Sequence, residues 1–341
     1  MAKAPSLIER LGRVWQLSDH VVACRFERSG ALAFALGDGS LTIIPHADGE
    51  PLTVQAHAGG CLSLAAAPGG GFISGGDDGR FLAISVAGEV TELANYPGRW
   101  LDNVSSHPAG VIACSEGKRL HLTRIGKPTI SFEYPSTVGG FCFSPDGKRV
   151  AVAHYGGVSI RAVDDQHSGV LALKWAGSHL DVTWSPDSRF ILSTMQENCI
   201  RGWRLKDKQD FHMSGYASKV KSWAWVAGGR YLATSGADVI PCWPFSGRKG
   251  PLGKAPVSLG YAESGLVTAV AAAPDYPLVA AGYDDGLVLV TQLADGDDNE
   301  QAAVIKPAGG GGVTDIAWAL DGKYLAVATE QGFAGILPTA A

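Results

Sequence analysis

Three aspartates, Asp102, Asp181 and Asp315, stand at one repeated position of this sequence, each five residues before a turn-forming segment. If the fold brings them to one depth, their like charges repel and a cation relieves the strain. A metal ion needs ligands closing to roughly 2.0–2.6 Å. The three residues come from non-adjacent segments, so a Lys or Arg side chain from a partner fits the spacing better than a metal; solvated carboxylates in a wet channel are the alternative reading. Trp100 and His179 lie close by in sequence, with Arg99 beside Trp100. Asp146, in the stretch "FSPDGK", is a further carboxylate with chemical potential, but it has close copies in "WSPDSR" and "WALDGK". Proline presets φ at the first turn position, and Asp and Gly tolerate the rest of the turn, so this motif reads as punctuation between strands.

Enzyme chemistry finds no convergent set. The sequence has no HExxH, no GxSxG and no phosphate-cradling glycine loop opening a helix. The run "GGGG" from Gly309 reads as a linker. Six scattered cysteines without a CxxC pair read as reduced core thiols, which excludes a disulfide frame and a zinc site and points to the cytoplasm. A formal net charge of −5 gives no reason to expect nucleic acid. No stretch has the apolar length of a membrane span, and the amino terminus lacks the apolar run of a secretory signal.

The elements that must position these residues repeat. With the proline of "FSPDGK" as anchor, equivalent positions fall at Arg28, Pro68, His107, Pro145, Pro186, Ala227, Pro274 and Leu320, at spacings of roughly 40 residues. Each unit reads as an alternating strand, a turn and further strands, as in "LDVTW", "SPDS", "RFILST", "MQEN" and "CIRGWRL". Four short strands per period is the pattern of a propeller blade. With 45 glycines and three methionines, the chain suits many short elements and tight turns. Residues 1–12 read as a tail and 13–341 as a single domain. Its units lie near 19–55, 56–95, 96–134, 135–175, 176–216, 217–262, 263–306 and 307–338. The last unit lacks a fourth strand, which 13–18, around Trp15, would supply.

On "FSPDGKRVAVA", "SGGDDGRFLAI", "NCIRGWRL" and "VIPCWPF", the chain resembles the WD40-repeat family, as a divergent, stand-alone propeller of bacterial type. Trp203 and Trp243 hold the tryptophan place, followed by Arg204 and Pro244 in place of the signature Asp. The family's buried hydrogen-bond set is offered by the second unit alone, as His57, Ser74 and Asp78. The positions equivalent to His57 hold Leu17, Tyr96, Tyr134, Trp175, Tyr216, Glu263 and Gly309. The resemblance implies an all-β, single closed β-propeller of four-stranded antiparallel blades, its ring closed by the amino-terminal strand. Eight blades are expected; seven is the alternative if the weak third unit is not a full blade.

By the same resemblance, the turns after the second strand and the linkers into the innermost strand share the partner-binding face. Asp102, Asp181, Asp315, Trp100, His179, Arg99 and Lys219 then form its candidate site. The expected function is a noncatalytic protein–protein interaction scaffold, monomeric and without cofactor. A propeller partner of a metal-handling GTPase or chaperone is the second reading, and a small-ligand sensor or enzyme using the central channel the third. The basic linker from Ser246 and the acidic one from Leu293 read as solvated loops.

Overall fold

The turn motif sets the local structure. In a computed structural model, which describes residues 5–124, 126–262, 265–294 and 302–339, the Ser144 hydroxyl donates to Asp146 Oδ1 at 2.6 Å. The Lys148 N–H donates to the same oxygen at 3.1 Å, and the Arg149 N–H to Ser144 Oγ at 2.9 Å. Ser185 and Asp187 repeat the arrangement. These side chains mimic backbone turns, so the chain reverses into an antiparallel neighbour at these points. Gly147 takes the left-handed position at φ +66°; its counterpart Ser188 adopts φ +60° with a Cβ in place.

Four-stranded antiparallel sheets form within 21–55, 61–95, 103–133, 223–259 and 267–306, each in sequential strand order. Their second strands, such as Leu32–Leu36, Phe72–Gly76 and Val111–Glu116, are buried throughout. Both faces of a strand in that position are covered, which explains its nearly unbroken apolar run.

The expectation of eight blades, each its own sheet, is corrected to the alternative count of seven: the described residues form seven sheets, six of four strands and one of six. The weak third unit is not the cause, because 103–133 forms a complete four-stranded sheet. The reason lies in the next two units. Arg149–Ala162 and Leu171–Trp184 each run unbroken for 14 residues, and the Tyr155↔Ser178 pair carries the hydrogen-bonded ladder from one unit into the next. The register shifts at Tyr155/Gly157 and at His179/Asp181. Gly156, Gly157 and Gly177, all at positive φ, let the chain bend there as a bulge instead of stopping.

The amino-terminal strand Arg13–Gln16 pairs antiparallel with Phe333–Pro338, from Arg13↔Ile336 to Gln16↔Phe333, and so supplies the fourth strand of the last sheet. Within the segment read as a tail, Leu7–Leu11 forms a helix. Ser6 and Glu9 cap it reciprocally, and Ile8 is fully buried against Val313, Ile316 and Leu337.

The chain divides into two compact units. One comprises Met1–Phe26, His46–Asp48 and Tyr216–Ala341; the other comprises Glu27–Pro45 and Gly49–Gly215. In the first, cores gather around Tyr283, Val279 and Ile240, and around Val313, Leu325 and Val327. In the second they gather around Phe141, Val150 and Val152, around Trp184, Ile191 and Trp203, and around Ile73, Phe81 and Leu101. All six cysteines are free; Cys142 and Cys199 are half-buried and the others buried.

Candidate functional site

The loop 97–102 carries three of the expected site residues, Arg99, Trp100 and Asp102, and the glycines of "SGGDDG" hold it in place. The Tyr96 N–H donates to the Gly79 carbonyl at 2.8 Å and the Leu101 N–H to the Gly76 carbonyl at 3.1 Å. The Ser63 hydroxyl donates to the Leu101 carbonyl at 2.9 Å, and Leu101 itself is fully buried. A Cβ on Gly75 would collide with the Leu101 carbonyl, and one on Gly79, at φ +80°, with that of Tyr96. The loop is therefore rigid at both ends while its centre faces solvent: Trp100 is 68% exposed, the Arg99 side chain 60%.

Beneath the loop sits a buried carboxylate. Glu116, at the end of Val111–Glu116, is 5% exposed. Its oxygens lie 3.5 Å from Arg99 Nε, 3.6 Å from Arg119 Nη1 and 3.6 Å from His121 Nε2. A buried charge needs such partners, and here they tie Arg99 to the sheet below. The Tyr96 ring stacks on His121 at 4.4 Å between centroids, and His121 Nδ1 meets the Ser131 hydroxyl at 2.8 Å. Desolvation pushes the Asp102 carboxyl above the usual range, opposed by a 3.2 Å hydrogen bond from Asn103.

A second exposed aromatic stands at the same end of this unit's sheets. Tyr155, 63% exposed, follows His154, which pairs with Val138 at the start of its strand, just as Trp100 precedes the strand Asn103–His107. The Ser136 hydroxyl accepts the Tyr155 N–H at 2.8 Å.

The other expected residues are engaged elsewhere. Asp315, in the first unit, accepts from the Cys24 N–H at 2.9 Å and the Ile316 N–H at 3.0 Å, and it forms an ion pair with Arg25. That carboxylate raises the Arg25 pKa, so Asp315 already holds a cation. Asp181, in the second unit, accepts the Val182 N–H at 2.8 Å and lies against Gly140, where a Cβ would clash. His179 is 2% exposed, its Nε2 donating to the Trp175 carbonyl at 3.1 Å and its Nδ1 3.0 Å from the Ser193 hydroxyl. Burial takes it out of the solvent-facing set. Lys219 is half-buried in the first unit.

The position equivalent to His57 carries a series that sequence reading detected only as a row of rings. His57 meets Ser74 Oγ at 2.8 Å and Asp78 Oδ1 at 3.0 Å. Tyr96 stacks on His121; Arg161 lies 5.9 Å from the Tyr134 ring and Arg201 lies 3.3 Å from that of Trp175. Trp243 Nε1 donates to the Tyr216 hydroxyl at 2.8 Å. Each of these rings meets a side chain further along the chain, so arginine, histidine and tryptophan take over a contact that His57 makes with Ser and Asp. Trp203 is buried beside His179, and Trp15 lies under the Arg13 guanidinium. Glu263 and residues 295–301 of the acidic linker lie outside the described residues. In the basic linker, Lys254 Nζ donates to the Ser246 carbonyl at 2.9 Å.

Among the described residues no group of three or more His, Cys, Asp or Glu side chains could hold a metal ion, and no helix is long and apolar enough to cross a membrane. A cleft of about 630 Å³ lies between Ile130, Pro128 and Val163. Its Arg124 is engaged by Asp164 through two nitrogens, at 2.9 and 3.0 Å, and by the Ala109 carbonyl.

No family model matches the sequence, and no curated protein matches it. Solved structures do. A chain of a mitotic checkpoint complex is 15% identical, with a TM-score of 0.65 over 100% of this chain and 99% of that one. The computationally designed protein Ika8 is 14% identical, with a TM-score of 0.74 over 95% of this chain and 98% of that one. At such identities the likeness is one of fold. Taken with the repeated four-stranded meanders and their turn chemistry, it shows that this chain has the fold of a WD40-like β-propeller.

Proposed function

We propose that the protein is a noncatalytic interaction scaffold and that the loop 97–102 is its docking element. The observation that carries this reading is Trp100, a large aromatic side chain left mostly in water on a loop anchored at both ends. Exposing such a ring is unfavourable unless something covers it, and a rigid aromatic loses little entropy on binding, which is why tryptophan and arginine dominate binding hot spots. Arg99 adds a guanidinium paired with Glu116, and Tyr155 is a second exposed aromatic at the same end of the unit's sheets. The reading contracts the three-aspartate rim to the neighbourhood of Asp102. Free, mostly buried thiols suit a reducing compartment such as the cytoplasm.

The test is capture of partners from the source cell by the wild type and by Trp100→Ala and Arg99→Ala. Partners retained by the wild type and lost by both variants, with the Trp100→Ala melting temperature unchanged and the Arg99→Ala protein still folded, support the reading. Identical partner sets from all three proteins refute it.

A further inference from the structure

Four of the nine histidines are buried, and all four lie in the unit that carries the docking loop: His57, His121, His154 and His179. Each meets a serine hydroxyl: Ser74 at 2.8 Å, Ser131 at 2.8 Å, Ser159 at 2.9 Å and Ser193 at 3.0 Å. They come from four consecutive repeats. The histidines of the other unit, His20 and His46, are exposed. His154 and His179 each donate one ring N–H to a backbone carbonyl, of Tyr155 at 2.9 Å and of Trp175 at 3.1 Å, so one nitrogen of each is already protonated and the other faces a hydroxyl.

We infer that the unit comprising Glu27–Pro45 and Gly49–Gly215 is an acid-released half of the molecule, loosening its docking loop under mild acid while the other unit stays folded. The loop is coupled to this set directly, since Tyr96, at its base, stacks on His121, and Gly76, which anchors Leu101, packs against the His57 ring.

The charged groups facing three of these rings, His57, His121 and His179, set the size of the effect. His57 faces Asp78 and Asp77, which favour the imidazolium, and Arg80, which opposes it; burial outweighs them and lowers its pKa. Burial likewise lowers His121, with Glu116 opposing and Arg119 reinforcing. It lowers His179, with the Trp175 carbonyl and Glu197 opposing and His154 and Arg201 reinforcing. In the unfolded chain these rings titrate near 6.5. A folded pKa below that value means the unfolded state takes up protons first. The contribution to stability is complete above about pH 6.5 and is lost as pH falls from there through the lower folded values.

The part of this inference that concerns partner release rests on the docking proposal; the stability asymmetry does not, and the experiment separates them. Amide exchange of the whole chain is followed at pH 7.5 and 5.5, each rate divided by its intrinsic value. The Tyr96 and Leu101 amides are expected to accelerate by about ten-fold or more at pH 5.5, while those of Ile316 and Val327 in the other unit change by less than about two-fold. The triple variant His57→Gln, His121→Gln, His179→Gln is expected to lose most of that pH dependence. If it does not fold, histidine ring-proton titration of the wild type decides, with three resonances expected to titrate below 6.5. Equal acceleration in both units, no acceleration, or native resonances titrating at or above 6.5 overturns the inference. Acid opening without change in partner capture overturns only the link to docking.

Discussion

Replacing Ile8 with alanine tests how firmly the amino-terminal segment is built into the last sheet. The side chain is fully buried and belongs to one apolar cluster with Val313, Ile316, Leu325 and Leu337. Its Cδ1 packs so closely over Gly335 that a Cβ there would come within 2.7 Å of it. Truncating a buried isoleucine removes its transfer free energy and leaves a cavity, together about 2–5 kcal/mol. Here the helix Leu7–Leu11 is short and could settle inward, which favours the lower half of that range. At about 2.1 cal/mol/K of unfolding entropy per residue, a chain of 341 residues moves its melting temperature by roughly 1.4 °C per kcal/mol, so Ile8→Ala should melt on the order of 3–5 °C below the wild type by calorimetry. Ile8→Val should lose about 0.5–1.5 kcal/mol. Deleting residues 1–18 should cost more than Ile8→Ala, because it also removes the four pairs from Arg13↔Ile336 to Gln16↔Phe333 and bares a sheet edge. Size-exclusion chromatography should then show association. An Ile8→Ala protein within about 0.5 kcal/mol of wild type, or a truncated protein that melts unchanged and elutes as before, would show that the segment only rests on the surface.

Gly75→Ala should displace the Leu101 carbonyl and reduce partner capture as Trp100→Ala does, but unlike Trp100→Ala it should also lower the melting temperature; a protein with both properties unchanged counts against the rigid-loop account. Tyr216→Phe strips the buried Trp243 Nε1–H of its acceptor and should cost about 1–3 kcal/mol in denaturant unfolding, an unshifted midpoint being the contrary result. Ser188→Gly relieves a left-handed backbone at φ +60° and should raise stability by about 0.5–1 kcal/mol; a loss would mean the Ser188 side chain contributes to the fold. Asp146→Asn should leave partner capture intact, because the turn lies at the end of Val138–Phe143 remote from the loop side, and loss of capture in a folded variant would place the docking surface at the wrong end.

Repetition of local chemistry made the fold legible. Proline, Asp and Gly fix a turn through their own torsions and side-chain hydrogen bonds, so Ser144–Asp146 and Ser185–Asp187 declare themselves without reference to distant residues. Alternating apolar runs between such turns specify strands for the same reason. A surplus strand at Arg13 and a vacancy after Pro338 can be matched by counting. Trp100 and Arg99 are candidates picked out by their position within a repeat. What the sequence could not decide were contacts made by residues far apart along the chain. Arg25 lies some 290 positions from Asp315, yet it converts a candidate binding carboxylate into half of an ion pair. His179 sits in a segment that reads as a linker on the partner-binding face, but its ring is buried beside Trp203 and hydrogen-bonded to the Trp175 carbonyl. Gly156, Gly157 and Gly177 look like ordinary turn glycines, and only the pairing of Tyr155 with Ser178 joins two units into one sheet. A turn stores its information in neighbouring residues, whereas ion pairs, burial and ladder continuity depend on which distant segments meet, and in this protein the tertiary structure alone decides that.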